Sequence, residues 1–322
     1  MKSLVIIEHK NGVLHRMSRE AISGAQKIGG EISALVIGKN SESVASELSN
    51  FQIEKTVIVD HELVPSYNVD GYKEIIKQVV DSISPNIIIT GHTYQARDFM
   101  PRVSAALDIP FIPDIVELEN SIYIKQVLNS KLNASISSSS DRVLISFQSA
   151  SFSEEDIIKG SSPSESFNVN LDSSSIKSKS DDPFQESASE VDLESAELIV
   201  SVGRGIEKEE NKSIAFDLAE VIGAEVSASR PVVDAGWLPS SRQVGSSGST
   251  ISPKLYLSLG VSGAIQHVVG MKGSKNILAI NKDPDAPIFE IADYAVVGDL
   301  SLIHISEPTR PERIAYAGVG VK

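Results

Sequence analysis

Cysteine is absent from the 322 residues, which excludes disulfides, thiol nucleophiles and cysteine-held iron–sulfur clusters. Aromatic residues are sparse at 5%. Positive charge is short too: 29 Lys and Arg stand against 43 Asp and Glu, a net charge of -14. Such a surface repels phosphate backbones, so no nucleic-acid partner is expected. An anionic ligand must therefore be met locally, by Arg, Lys or backbone N–H groups. No apolar run approaches the ~20 residues that cross a bilayer, so no membrane insertion is expected. The apolar run within Met1–Ile7 is too short for a signal peptide and reads as a first strand, which leads us to expect cytoplasmic residence. Several chemical signatures are missing. Gly203-Arg204-Gly205 lacks the third glycine of a G-x-G-x-x-G turn, and no G-x-x-x-x-G-K-[ST], G-x-S-x-G elbow or metal-spaced His/carboxylate cluster occurs.

What is present has the composition of an ordinary folded chain, 41% hydrophobic and 22% charged. At ~150 residues per domain the length suggests two domains. Short apolar runs at Val5–Ile7, Ser33–Ile37, Thr56–Val59 and Asn86–Thr90 alternate with helical spacing at Arg16–Ile28 and Gly71–Ile83. This order predicts a mainly parallel sheet flanked by helices on both faces. Ile122–Val127 and Arg142–Phe147 read as antiparallel strands, with a turn at Asn129-Ser130-Lys131. Serine dominates residues 135–189, which read as surface loop and linker. The first domain is thus expected at 1–189 and a second α/β domain at 190–300, with a tail at 301–322. In the second, strands are expected at Glu197–Val202, Glu225–Ala228, Lys254–Leu259, Asn276–Ile280 and Tyr294–Val297, and a helix at Glu209–Ile222 stopped by Gly223.

Ligands of open parallel sheets sit beyond the carboxyl ends of the strands. Those ends read Gly203-Arg204-Gly205, Ser229-Arg230-Pro231, Gly260-Val261-Ser262-Gly263, Asn281-Lys282-Asp283-Pro284 and Gly298-Asp299-Leu300. Ser262 is placed to cap a helix starting at Gly263 or Ala264, whose first free N–H groups attract an anion; a plain strand-to-helix turn explains the same residues. Arg204 and Arg230 are placed to neutralise a pyrophosphate or to sit over a ring gaining negative charge; either could instead form a surface salt bridge. The polar loop Gln243-Val244-Gly245-Ser246-Ser247-Gly248 is suited to closing over a flat ligand, or simply to connecting two elements.

Three segments carry a resemblance. Ala228-Ser229-Arg230-Pro231-Val232-Val233-Asp234-Ala235-Gly236-Trp237, then Pro253-Lys254-Leu255-Tyr256 followed by Gly260 to His267, then Ala279 to Phe289 resemble the alpha subunits of electron-transfer flavoproteins. The likeness is continuous from about 200 to 300, and looser in the first domain. It implies a Rossmann-like FAD-binding fold for the second domain, holding a non-covalent FAD. Arg204, Ser229 and Ser262 would meet the phosphates. Asn281, Asp299 and Leu300 would hold the adenosine end. Gln243, Val244, Gly245, Ser246 and Ser247 would run along the ribityl chain and ring, with Gly263, Ala264, Ile265, Gln266 and His267 completing that wall.

The resemblance also implies an electron carrier rather than an enzyme. A beta subunit that binds AMP would pair with it. Acyl-CoA dehydrogenases of fatty-acid β-oxidation would supply electrons, and a membrane electron-transfer flavoprotein–quinone oxidoreductase would receive them. Arg230 and a donor from His267 would favour added negative charge on the ring. The family commonly has Gln-Thr where this chain has Ser246-Ser247, so the hydroxyl is retained without its methyl. Val202 replaces a common glycine. The tail reads Ser301-Leu302-Ile303-His304-Ile305-Ser306-Glu307-Pro308-Thr309-Arg310-Pro311-Glu312, whose two prolines do not suit the amphipathic helix that ends the family; it is expected to pack poorly and weaken the partner interface. Two other readings stay open: the alpha subunit of a bifurcating, NADH-oxidising flavoprotein, and an adenine-nucleotide-binding module without redox chemistry.

Overall fold

The computed structural model describes residues 1–119, 121–128, 132–178, 191, 193, 196–300 and the backbone of 320–321. The chain divides into two compact units, Met1–Phe184 and Gln185–Lys322.

The first unit is built in the order β1 (Lys2–Ile7), β2 (His9–Lys10), β3 (Val13–Leu14), α1 (Arg16–Ile28), β4 (Glu31–Ile37), α2 (Ser41–Leu48), β5 (Lys55–Val59), α3 (Val69–Ile83), β6 (Ile87–Gly91) and α4 (Tyr94–Leu107). It continues through β7 (Phe111–Glu119), β8 (Ile122–Val127), β9 (Leu132–Ile136), β10 (Val143–Phe147) and β11 (Ser164–Ser166). One sheet has the order β11-β5-β4-β1-β6-β10-β7-β8-β9. It is parallel from β11 to β7, and antiparallel only across the β7–β8–β9 ribbon.

Alternating side chains divide the apolar burial. Val5 and Ile7 face α1 and α2 through Ala21, Ile22, Val44 and Leu48. Leu4 and Ile6 face α3 and α4 through Ile75, Ile76, Val79 and Phe99. Side chains two apart along a strand point the same way, so a sheet covered by helices on both faces needs this split. The helices are started by local chemistry. Asn68 accepts from Gly71 N–H to begin α3, and Thr93 accepts from Ala96 N–H to begin α4.

One strand departs from expectation. Val143–Phe147 is parallel, inserted between β6 and β7, and not part of an antiparallel pair. All five of its residues are buried. A short apolar run buried on both faces belongs inside a sheet, but periodicity does not say beside which strands. Ile122–Val127 is antiparallel to both neighbours, as expected. The turn at 129–131 lies outside the described residues.

The second unit contains β12 (Leu198–Val202), α5 (Lys212–Ile222), β13 (Glu225–Ala228), α6 (Arg230–Asp234), β14 (Leu255–Leu259), α7 (Ile265–Met271), β15 (Ile277–Asn281), β16 (Tyr294–Val297) and β17 (Gly320–Val321). The sheet order is β13-β12-β14-β15-β16-β17, parallel except for the last pair. A 3-10 turn at Glu209–Asn211 precedes α5, so the helix proper starts three residues later than its spacing suggests. Gly223 ends it with φ 68°. One face packs Val200, Val202, Val226 and Leu259 on α5; the other packs Ile199, Tyr256 and Ile277 on Met271 of α7. The tail expectation falls on residues 301–319, outside the described set; Gly320–Val321 pairs with Tyr294 and Ala295. Among the described residues no helix is long and apolar enough to cross a membrane.

In the first unit α1 buries a carboxyl. Glu20 is 1% exposed, accepts from Ala150 N–H at 2.8 Å and has Arg16 Nε at 3.0 Å. Burial outweighs both partners and pushes its pKa from 4.5 up to about 7. A raised carboxyl favours the folded state below its unfolded pKa, and that contribution is lost as pH rises from 4.5 to 7. Burial holds His92 down at about 4, which acts in the opposite direction over part of this range. The comparison of wild type with Glu20→Gln isolates the carboxyl. The variant should gain about 3 kcal/mol relative to wild type between pH 4.5 and 7.5 in urea titrations followed by circular dichroism. A pH-independent difference would show an unshifted Glu20.

Candidate functional site

The loops leaving the carboxyl ends of β12, β13, β14 and β15 are joined by backbone. Gly203 N–H donates to Leu259 O at 2.8 Å, Gly205 N–H to Gly260 O at 2.8 Å, Ser229 N–H to Val202 O at 2.9 Å and Gly260 N–H to Ile280 O at 2.9 Å. A Cβ on Gly203 would lie 2.2 Å from Gly260 O and 2.4 Å from Val261 Cα. Both obstacles are main chain, so only glycine permits this approach. Gly263 has φ +84°, and a Cβ there would meet Ile288 N at 2.2 Å.

Behind these loops opens a cavity of about 590 Å³, within the usual range for small-molecule sites of roughly 300–1,000 Å³. Arg204 and Gly205 reach it from β12, Ser229 and Arg230 from β13, Gly260, Val261 and Ser262 from β14, and Asn281, Lys282 and Asp283 from β15. Val244, Gly245, Ser246 and Ser247 line a further side, with Ala264, Gln266 and His267 of α7 and its approach. Four separate strand ends thus meet at one opening. Of the remaining residues singled out above, Gln243, Gly263, Ile265, Asp299 and Leu300 do not line it. Gln243 is buried and donates from Nε2 to Ser247 Oγ at 2.9 Å, so it orients that hydroxyl. Gly263 packs on Ile288, Ile265 is 57% exposed and Leu300 is buried in the core on α5.

Ser262 does not cap a helix. Helix α7 starts at Ile265 with Ala264 at its cap position and no side-chain cap bond. The left-handed turn at Gly263 separates Ser262 from the helix. Ser262 is instead exposed at the cavity, with its carbonyl accepting from Ile288 N–H at 3.1 Å. The N–H groups of Ser262, Gly263 and Ala264 find no acceptor among the described residues. Successive free N–H groups around a left-handed turn form a concave anion seat.

Charge at the rim is balanced rather than positive. Arg230 is exposed and its Nε lies 3.5 Å from Asp234 Oδ2, while Lys282 is paired with Glu207. Glu207 holds the Lys282 ammonium above its usual range. Arg204 is exposed and has no ion pair among the described residues, which leaves its guanidinium open to an anion. Asn281 spends its amide internally: Nδ2 donates to Val261 O at 2.9 Å and Oδ1 accepts from Asp283 N–H at 3.0 Å. It shapes the rim more than it offers a group to a ligand.

The loop carrying Val244 to Ser247 is held from below and behind. Val244 N–H donates to Ala228 O at 3.0 Å, and Ser246 N–H to Gln266 O at 2.7 Å. Arg242, 9% exposed, donates from Nη1 to Val226 O at 2.6 Å. Sequence reasoning missed this anchor, because an arginine in a polar loop looks solvent-facing. It also passed over Glu207, Ala286 and Pro287, which line the cavity away from strand ends. His267 is 6% exposed, and burial drives its pKa down to about 4 against the backbone at Val244. Its Nε2 lies 2.7 Å from the hydroxyl of Tyr256, and its Nδ1 has no aligned partner.

The comparisons with known proteins address the same two units. The family model for the electron transfer flavoprotein domain matches residues 3–171, and that for the electron transfer flavoprotein FAD-binding domain matches 192–272. The chain belongs to the electron transfer flavoprotein family. It is similar to the alpha subunit of Bacillus subtilis, 34% identical over 307 residues that span 93% of this chain and 94% of that protein. The alpha subunit of Thermoanaerobacterium thermosaccharolyticum is 36% identical over 307 residues, 92% of this chain and 93% of that one. That of Pseudomonas aeruginosa is 34% identical over 308 residues, 93% and 96%. The resemblance found in the sequence therefore extends through the first unit, and the family is one of electron carriers rather than enzymes.

The glycine contact supplies a test. Gly203→Ala should destabilise the second unit by about 1–3 kcal/mol through forced separation of the loops. Gly298→Ala, whose Cβ would meet nothing within 4 Å, should leave stability nearly unchanged. Urea unfolding followed by the single tryptophan, Trp237, reads both; equal midpoints would remove the loop contact from the account.

Proposed function

We propose that the cavity of the second unit binds a non-covalent FAD, and that the chain, paired with a beta subunit, relays electrons. The donors in this reading are flavin dehydrogenases such as acyl-CoA dehydrogenases, and the acceptor is a membrane quinone oxidoreductase. The observation that carries the flavin site is the meeting of the Arg204, Ser229 and Gly260–Ala264 loops around free N–H groups at one cavity. These groups fit a pyrophosphate. Ser229, buried at the rim without a side-chain cap bond, has a hydroxyl to offer beside them.

The opposite wall fits a flat ring. Val244, Gly245 and Ser246 are held rigidly by backbone bonds, Ser247 Oγ is oriented by Gln243, and the buried His267 lies alongside. The flavin when bound supplies the one- and two-electron chemistry; the chain's part is to orient it, exclude water from one face and bias its charge. The alpha-subunit names of the relatives support pairing with a beta subunit.

Co-expression with a beta-type subunit tests this reading. The purified complex should be yellow and release FAD on denaturation. A colourless complex that binds AMP but no flavin would replace it with the nucleotide-binding reading. Arg230 gives a finer prediction. Among the described residues its one ion pair is the exposed one with Asp234, so Arg230→Ala should change stability by less than about 1 kcal/mol. Loss of a cation near the ring should lower the flavin reduction potential by roughly 30 mV, about a tenfold change in a two-electron equilibrium. An unchanged midpoint in a redox titration would remove Arg230 from ring tuning.

A further inference from the structure

The cavity wall is backed by a buried polar layer that no cavity-lining role accounts for. Tyr256 sits on β14, fully buried, with its hydroxyl 2.7 Å from His267 Nε2. The two rings are tilted at 55°, with centroids 6.2 Å apart. On the same sheet face lies a row of serines at matched register, Ser227–Ser201–Ser258, each 0% exposed. None of their hydroxyls has an aligned hydrogen-bond partner among the described residues. Parallel sheets buried under a helix normally carry aliphatic side chains there, and buried polar groups are costly unless they are used.

A neutral imidazole has one N–H and one lone pair, and what meets one nitrogen decides where the proton sits. Burial keeps both rings uncharged: it pushes the Tyr256 phenol far up and the His267 imidazole down to about 4. A phenol has a proton to give, and the nearby Ser201 and Ser227 hydroxyls oppose the effect of burial on it. The other side of the imidazole faces the backbone at Val244, on the cavity loop, and its Nδ1 is buried without an aligned partner.

We propose that Tyr256 is a positioning residue: its O–H donates to His267 Nε2, fixes the ring proton on Nδ1 and so directs the histidine's donor toward the backbone of the cavity loop at Val244. This rests on the flavin reading above, under which a donor beside the ring favours negative charge gathering on it. With the tautomer reversed, the same histidine would offer a lone pair and oppose that charge. Tyr256 never meets the ligand; it acts through His267.

The tautomer is directly measurable without any flavin turnover. The chain has six histidines, so long-range nitrogen–proton spectra of histidine-labelled full-length protein are tractable, with His267→Gln assigning the signal. At pH 7 the wild type should show Nδ1 protonated and Nε2 bare, with and without added FAD. Tyr256→Phe should reduce the Nδ1–H fraction and weaken FAD binding about fivefold, the loss of one positioned hydrogen bond. Trp237 fluorescence checks that the variant is folded. Nε2–H in the wild type overturns the proposal, even if Tyr256→Phe fails to fold; so does a folded Tyr256→Phe with an unchanged tautomer. Should the wild-type tautomer be as expected while added FAD does not bind, the flavin reading falls and the Tyr256–His267 arrangement stands.

Discussion

The cavity depends on one close approach of main chain. The loops after β12 and β14 touch where Gly203 and Gly205 meet Gly260, with backbone hydrogen bonds at 2.8 Å. No side chain fits between them. That contact fixes the relative height of two adjacent strand ends, which sets where Arg204 and Ser262 stand. The remaining loops are referred to the same pair: Ser229 through Val202, and Gly260 through Ile280. A reversal of strand order, with β13 on one side of β12 and β14 on the other, makes the crevice between parallel strands. The glycines set how tightly it is closed.

Electrostatics at this opening works by geometry more than by excess charge. The chain carries a net charge of -14, and the lysine and one arginine at the cavity are already paired with acids. What remains for an anion, among the described residues, is Arg204 without an ion pair and three main-chain N–H groups without acceptors. These cost nothing to reorganise, because the turn that aims them is already held by Ile288. An acidic protein can hold an anionic cofactor in this way without an overall field that would gather other anions.

Much of this was legible in the sequence. Helix α1 was bounded to the residue, and β4, β5, β6, β8, β10 and β12 to β16 were found to within a residue or two, because their apolar runs are short, β-branched and punctuated by glycine, whereas β7, β9 and β11 were not foreseen. The rim loops were found through a rule about strand ends, which needs only the strands. What stayed hidden depends on partners far along the chain. Val143–Phe147 announces burial but not its neighbours. Ser262 looked like a cap because the left-handed turn at Gly263 cannot be read from the letters alone. Arg242 and the Tyr256–His267 bond join residues whose types suggest surface and core respectively, and only their packing shows what each one holds.

The position of β10 bears on how the first unit comes into being. It lies between β6 and β7, yet emerges after both of them and after the whole β8–β9 ribbon. A nascent chain that stops short of residue 143 has two strand edges with no mate between them. An interior strand of that sheet is therefore synthesised after every other strand of it except the edge strand β11. Truncation anywhere before β10 removes a central slat and not merely an end, so assembly of this unit is close to all-or-none along the growing chain.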